Sequence, residues 1–446
     1  MSAAPLGWPG IIRLGLVQSS LGAVVVLTTS TLNRVMVVEL MLPALVPGLL
    51  VALHHVIQLL RPRFGYGSDV GGRRTPWIIG GMAVLCAGGL LAAVATSMIP
   101  SYPGLGLALA LVGFAAVGVG VGAAGTSLLV LLAKRVQPER RAAAATTVWI
   151  MMIAGFVLTA GVAGALLEPF SLPRMVAVSA GVVGIAWLVA TLAVWGVEGD
   201  APAVPTEPEA MPAFGTALRE VWAETRARRL TVFIFVSMLA YSAQDLILEP
   251  FAGSIFGLTP GQSTQLSGIQ NAGVLLGMLL VAGLARSGAG RGLGSLTAWC
   301  VGGCLASGVA LFGLSVAGYL PGSWPLAPSV FALGAANGAF SVAAIGSMMA
   351  MVAEGARARE GVRMGLWGAA QAIAFAAGGI AGTGLVDLIR LVSGSALTAY
   401  SMVFFLEGLV FLVAAYLARH IGPSTGAAQA RSWVAREAVT VSAGGR

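Results

Sequence analysis

Twelve long apolar runs, separated by short polar segments, constrain this 446-residue chain more than any other feature. Most of the runs reach the roughly 20 residues that a helix needs to cross the hydrocarbon of a bilayer. Only 9% of the residues are charged, whereas soluble domains contain about 25%. The sequence therefore predicts an all-α integral membrane protein whose first apolar run is a retained helix rather than a signal peptide. The runs lie near residues 11–32, 44–60, 77–97, 103–133, 143–167, 175–197, 230–248, 265–285, 293–319, 326–353, 362–386 and 395–418.

The basic residues predict the orientation of these helices. If the runs alternate in direction, all but three of the 25 Lys and Arg residues fall on one side of the membrane, the exceptions being Arg34, Arg174 and Arg390. The positive-inside rule places that side, and with it both termini, in the cytoplasm. The net charge of +8 is thus a signal of topology, and we expect no nucleic-acid partner.

A segment rich in proline and charge divides the chain once, at residues 198–228, and predicts a cytoplasmic linker that ends in an interfacial helix. Six predicted spans precede it in residues 1–197, and six follow in residues 229–421. Residues 422–446 form a small, polar cytoplasmic tail. Two six-helix halves are typical of transporters that bind substrate between the halves, near the middle of the membrane.

The loop between the second and third runs reads "FGYGSDVGGRRTPW". The spacing of Gly65, Asp69, Gly72, Arg73 and Arg74 resembles the cytoplasmic signature loop of the major facilitator superfamily. The glycines permit tight turns, and the carboxylate can interact with a helix N-terminus or a basic side chain. The resemblance implies a conformational latch between the halves; the alternative is a solvated turn that only follows the charge rule.

The stretch "STLNRVMVVEL" (30–40), with "GLLVALHHVIQLLRPRFGYGSD" (48–69) after it, closely resembles the bacteriochlorophyll delivery family, a PucC/LhaA-like branch of the major facilitators. The resemblance implies a twelve-helix, major-facilitator-like protein of the bacterial cytoplasmic or intracytoplasmic membrane. It further implies bacteriochlorophyll or a late precursor as cargo, and support for the assembly of light-harvesting or reaction-centre complexes. Expected partners are the polypeptides of those complexes, pigment-synthesis enzymes and membrane lipids. The loop from Asp69 to Arg73 is shorter than in PucC-type members and is more like that of the member associated with pigment biosynthesis.

Three polar residues, Asn33, Arg34 and Glu39, close the first apolar run. We expect them to organise a polar site for the oxygens of the pigment or to gate access to that site; the alternative is a network that only holds the first two helices together. Arg34 and Glu39 are five residues apart, about 140° around a regular helix, so we do not expect them to pair with each other. Each should find a partner on another helix or at the membrane surface.

Two of the three histidines, His54 and His55, lie in the second run. The magnesium of a chlorophyll takes one axial ligand, and imidazole is a suitable one. His54 shares a helix face with Gln58 and is the better candidate for pigment binding and axial ligation. His55 points about 100° away and stays open as the other candidate. The alternative for both is a hydrogen bond to a neighbouring helix.

Asp245 and Glu249 are spaced i,i+4 at the end of the seventh run, where two carboxyl groups on one helix face are candidates for proton coupling. Hydration at a helix end is the alternative. Two other functions therefore stay open beside pigment delivery: a proton-coupled transporter of a small amphipathic molecule, and a pigment-free assembly scaffold. The sequence has no Walker-type loop, GxSxG or HExxH motif, so we expect neither ATP use nor an enzymatic activity.

Overall fold

The computed structural model of the chain describes residues 5–61, 63–64, 73–137, 140–199, 219, 222–286, 295–354 and 360–421. Twelve helices form within these residues. They are α1 (Trp8–Glu39), α2 (Leu45–Leu60), α3 (Thr75–Met98), α4 (Pro103–Arg135), α5 (Arg141–Leu166), α6 (Leu172–Val194), α7 (Thr225–Phe256), α8 (Pro260–Arg286), α9 (Leu296–Ala317), α10 (Leu326–Glu354), α11 (Glu360–Ser393) and α12 (Ala396–Ala418).

Eleven of the twelve helices are long and apolar enough to cross a membrane, and α2 is a shorter apolar helix. The predicted all-α membrane fold is confirmed. Local sequence explains several helix starts: Ser171, Ser295 and Ser395 each accept a hydrogen bond from the main-chain N–H three residues later, as N-cap residues do. Each of these helices therefore begins directly after a capping serine.

Small residues set how closely the helices pack. A Cβ atom on Gly88 of α3 would lie 2.8 Å from the main-chain oxygen of Gly113, and one on Gly113 of α4 would lie 2.8 Å from the Ala92 nitrogen. Only a residue without a side chain permits this approach, which is the common use of glycine between membrane helices. These two glycines thus allow α3 and α4 to pack closely.

Helices α1 to α6 and helices α7 to α12 form two bundles with largely separate apolar cores. The bundles meet mainly where α5 packs on α8 and α2 packs on α11, and the last turns of α1 also contact α7 and α8. Several cross-contacts gather at one end of the molecule, called here the distal end. It is defined by the α1–α2, α5–α6, α7–α8 and α11–α12 connections.

Several predicted features lie wholly or mostly outside the described residues. These are Gly65, Asp69 and Gly72 of the predicted latch, most of the linker 198–228, and the tail 422–446. The boundaries of the linker and tail, and the cytoplasmic placement of the termini, stay predictions.

Candidate functional site

The last part of α1 departs from regular α-helical geometry. Residues Leu27–Leu32 and Val35–Glu39 are π-helical. Within the first of these turns, the hydroxyls of Thr28 and Thr29 both donate to the Val25 carbonyl, at 2.8 and 3.0 Å. Side-chain hydrogen bonds of this kind compete with the helical ladder and bend helices. π-Helical turns are rare and frequently occur at functional sites, so this end of α1 is a candidate for one.

Arg34 and Glu39 form an ion pair, so the prediction that they do not pair is wrong. The reason is the π-helical turn, in which the Leu40 N–H bonds to the Val35 carbonyl at 3.0 Å. An i→i+5 hydrogen bond brings residues five apart above each other, whereas a regular α-helix separates them. The Arg34 side chain is 3% exposed and that of Glu39 is 36% exposed. Glu39 therefore lies between the buried guanidinium and the outside.

Arg34 also binds the other bundle. Its Nη2 donates to the main-chain carbonyl of Leu258, just after α7, at 2.6 Å. The guanidinium passes so close to Gly253 that a Cβ atom there would lie 2.9 Å from Nη2. The predicted partner on another segment is thus a carbonyl, and the charge of Arg34 ties α1 to the end of α7.

Asn33 makes a second link between the bundles. Pro250 lies inside α7 and has no N–H to give to the carbonyl of Leu246, four residues earlier. The side-chain amide of Asn33 donates to that carbonyl at 2.7 Å. A third link joins the hydroxyls of Thr31 and Thr264, 3.0 Å apart.

The two candidate acids of α7 belong to the same site. Glu249 is buried and lies near enough to Asp245 and Arg34 for their charges to interact, and neither of its carboxylate oxygens has a hydrogen-bond partner among the described residues. The fold therefore brings together two sets of residues that the sequence presents separately. We call the set Asn33, Arg34, Glu39, Asp245 and Glu249 the inter-half polar site.

His54 is engaged within its own helix. The Gln58 amide nitrogen lies 3.0 Å from His54 Nε2, and Arg61 donates to the Gln58 oxygen. Because an amide nitrogen only donates, His54 Nε2 must accept, and its proton is on Nδ1. Nδ1 has no hydrogen-bond partner among the described residues. The main chain at His54 is also covered by α4, where a Cβ on Gly118 would lie 2.7 Å from the His54 carbonyl oxygen.

His55 faces the other bundle. Its ring lies 5.0 Å from that of Phe375 on α11, and Phe375 lies 5.8 Å from the ring of Tyr241 on α7. Within the described part of the chain, no three His, Cys, Asp or Glu side chains gather as a metal site would require.

Asp387 of α11 holds the start of α2. Its two carboxylate oxygens accept hydrogen bonds from the main-chain N–H groups of Ala44 and Leu45, at 3.0 and 2.8 Å. A carboxylate at a helix N-terminus satisfies free N–H groups and complements the positive end of the helix dipole. Here the capping side chain comes from the other bundle, so the cap also joins the two halves.

The described part of the predicted latch lies at the opposite end. Arg73 donates to the Gly199 carbonyl at 3.2 Å. The Glu198 carboxylate accepts from the main-chain N–H groups of Arg74 and Thr75, at 2.6 and 2.9 Å. The latch arginines thus contact the first residues after α6, and a latching role stays a prediction.

The geometry of the fold is that of known transporters. The crystal structure of the nucleoside transporter NupG matches with a TM-score of 0.63, 15% identity and coverage of 92% of this chain and 98% of that one. The peptide transporter POT, in complex with sulfate, has a TM-score of 0.68, with 14% identity and coverage of 95% and 98%. The predicted major-facilitator-like fold is confirmed.

A family model described as PUCC protein matches residues 31–425. The chain belongs to the PUCC protein family. The Bacteriochlorophyll synthase 44.5 kDa chain of Rhodobacter capsulatus is 52% identical, over 97% of this chain and 100% of that protein. An uncharacterised protein of the puhA-bchM intergenic region of the same species is 30% identical, over 93% and 90%. Protein PucC of Cereibacter sphaeroides is 29% identical, over 90% of each chain. The predicted family is confirmed, and this PUCC protein is a multi-pass membrane protein.

Sequence reasoning missed two residues that the structure makes important. Asp387 stands as a single acid in the apolar run "GLVDLIRL", and an acid within a membrane helix is a functional candidate by default. Pro250 follows Glu249 directly. Because proline has no N–H, the carbonyl four residues earlier in the helix lacks its usual donor. The isolated acid and the proline within a helix are both visible in the sequence, but the sequence does not show which residues they contact.

Proposed function

We propose that this PUCC protein is a pigment-delivery factor that binds bacteriochlorophyll or a late precursor between its two halves. It passes the pigment to light-harvesting or reaction-centre polypeptides during assembly of those complexes. The observation that carries this proposal is the PUCC family match over residues 31–425, together with the 52% identity to a protein named as a bacteriochlorophyll synthase chain. The transporter-like fold supports a protein that carries pigment and performs no chemistry on it.

The inter-half polar site has the chemistry that such a cargo needs. A tetrapyrrole pigment is largely apolar and carries a few keto and ester oxygens. In the described structure, Nε of Arg34 and Oδ1 of Asn33 are buried without a hydrogen-bond partner. An unpaired buried donor and acceptor are costly, and a cargo oxygen would satisfy the donor.

The proposal includes a location and partners. We place the protein in the bacterial cytoplasmic or intracytoplasmic membrane with both termini in the cytoplasm, because the basic residues lie predominantly on that side. Residues Gly65 to Arg74 act there as the latch between conformations. The partners are the pigment-binding polypeptides, membrane lipids and, as a source of pigment, the synthesis enzymes. ATP is not required.

Purification in mild detergent from a pigment-making host tests the proposal. An absorption spectrum, followed by pigment extraction and mass spectrometry, should show a bacteriochlorophyll or precursor in about one copy for each protein. An Arg34→Ala variant should retain its fold and lose pigment. A folded wild-type protein without pigment would contradict delivery. If antenna polypeptides co-purified without pigment, the protein would act as an assembly scaffold instead.

A second candidate function is proton-coupled transport of a small amphipathic molecule. The observation that favours it is the burial of Glu249 beside Asp245 and Arg34, since acids in such positions carry protons in transporters. Reconstituted protein that collapses a pH gradient only when a substrate is present would support this function. The same flux in a Glu249→Gln variant would contradict it.

A further inference from the structure

We propose that His55, and not His54, is the axial ligand of the pigment magnesium, and that Phe375 and Tyr241 of the other half cover the macrocycle at the same place. This inference rests on the proposed function, because it needs a magnesium-containing tetrapyrrole as cargo. It deepens that function by assigning the contact atom and the aromatic surface.

The two histidines differ in the availability of Nε2. In His54 this atom accepts the Gln58 amide at 3.0 Å, and the side chain is 2% exposed. In His55 the Gln58 amide approaches Nδ1 instead, at 3.4 Å, and no described residue hydrogen-bonds to Nε2. Ligation requires the His55 proton on Nδ1, which gives up the 3.4 Å contact with the Gln58 amide but leaves the Gln58–His54 and Arg61–Gln58 hydrogen bonds in place. Ligation by His54 would require the loss of the shorter hydrogen bond.

The surroundings of His55 suit a flat aromatic ligand. The Phe375 ring lies 5.0 Å from the His55 ring and 5.8 Å from the Tyr241 ring, and aromatic rings favour stacked or edge contacts at such distances. His55 and Phe375 belong to different halves, so a macrocycle between them would touch both. The adjoining Val56 and Ile373 are each 48% exposed and offer an apolar surface for a hydrocarbon tail.

The contact between α2 and α11 is stronger at its distal end. There Asp387 caps α2, and Gly48 lies so close to Thr383 that a Cβ on Gly48 would overlap the threonine side chain. His55 is ten residues beyond Leu45, about 15 Å along the helix, and meets α11 through the His55–Phe375 ring contact. Parting of the helices at the His55 end, with the Asp387 end held, would admit the macrocycle.

Titration of detergent-purified protein with bacteriochlorophyll and with the same pigment lacking magnesium tests this assignment. Wild-type protein should bind the magnesium pigment about tenfold more tightly, equivalent to about 1.4 kcal/mol. His55→Phe keeps an aromatic ring beside Phe375 but cannot ligate, so it should abolish the preference and leave binding of the magnesium-free pigment within about twofold. His54→Phe should retain the preference. Resonance Raman bands that report magnesium coordination should change in His55→Phe only.

Two further variants separate ligation from folding and stacking. His55→Gln provides a smaller substitution if His55→Phe does not fold, and imidazole added to His55→Gly should restore the coordination bands. Phe375→Leu should weaken the binding of both pigments by the same factor. A preference that survives in His55→Phe, or disappears in His54→Phe alone, overturns the assignment while pigment binding stands. Wild-type protein that binds neither pigment overturns the proposed function itself.

Discussion

Asn33 donates a hydrogen bond across the boundary between the two halves to the main-chain carbonyl of Leu246, at 2.7 Å. This is the carbonyl that Pro250 leaves without its helical donor. A proline in a membrane helix is tolerated where a neighbouring helix satisfies the freed carbonyl. The sequence thus contains both parts of one contact, a helix-breaking residue in one half and a donor in the other.

Replacing Asn33 by alanine should destabilise the protein by about 1–3 kcal/mol, because a buried carbonyl loses its donor. Thermal unfolding in detergent measures the loss. In a Pro250→Ala background the helix supplies its own N–H to Leu246, so Asn33→Ala should cost distinctly less there. A double-mutant cycle isolates this coupling.

Asn271→Ala is the matched control for that cycle. The Asn271 amide donates to the Ser267 carbonyl of its own helix at 2.9 Å and is remote in sequence from the proline. Asn271→Ala should lower the stability by the same amount in the wild-type and Pro250→Ala backgrounds. Equal costs for Asn33→Ala in both backgrounds would show that the Leu246 carbonyl does not depend on Asn33.

Asp387→Ala should destabilise the contact between α2 and α11 by about 1 kcal/mol, the usual cost of removing a helix N-cap. Asp387→Asn should cost less, because one acceptor oxygen remains. Hydrogen exchange should accelerate at the amides of Ala44 and Leu45, which donate to the carboxylate. Unchanged exchange at these two amides in Asp387→Ala would contradict the cap.

Gly253→Ala should destabilise the inter-half polar site by about 1–3 kcal/mol, because the added methyl group overpacks the Arg34 guanidinium. The guanidinium has little freedom to move aside, since Glu39 and Leu258 hold it. Thermal unfolding checks the effect, which should largely vanish in an Arg34→Ala background.

Gly184→Ala provides the comparison for that substitution. It also lies within a helix, but a Cβ atom there meets nothing within 4 Å. The change should be neutral or stabilise by up to about 1 kcal/mol, the helix propensity difference between the two residues. If Gly253→Ala and Gly184→Ala lowered the stability by similar amounts, the cause would be a general intolerance of alanine in these helices and not contact with Arg34.

The helices were predictable, and the contacts at the end of α1 were not, for a physical reason. Twelve apolar runs give twelve helices because a bilayer leaves few other backbone solutions. The position of Arg34 relative to Glu39 depends on the π-helical turn, which regular 100° periodicity does not anticipate. The choice between His54 and His55 depends on which helix packs on each face of α2. Asp387 was visible as an isolated acid, but its two donors lie more than 300 residues earlier in the chain.

The carboxyl group of Glu198, which lies outside the membrane-spanning helices, should make the stability of the protein depend on pH. Partial burial opposes its ionisation, but hydrogen bonds from the main-chain N–H groups of Thr75 and Arg74, and the Arg74 charge, hold its pKa below the ordinary 4.5. Because the pKa is lower in the folded state, the stabilisation is fully present above the unfolded value and is lost as the pH falls through the folded one.

Glu198→Gln should therefore lower the melting temperature at pH 7, where the wild-type carboxylate is charged. The two melting temperatures should converge as the pH falls below the ordinary pKa of 4.5 and through the lower pKa of the folded state, because the wild-type side chain then becomes protonated. Melting temperatures measured in detergent from pH 7 to acid check this. Parallel curves of melting temperature against pH for the two proteins would mean that the Glu198 carboxylate does not stabilise the start of α3. The charge on this side chain would then contribute nothing to the contact between α3 and the chain after α6.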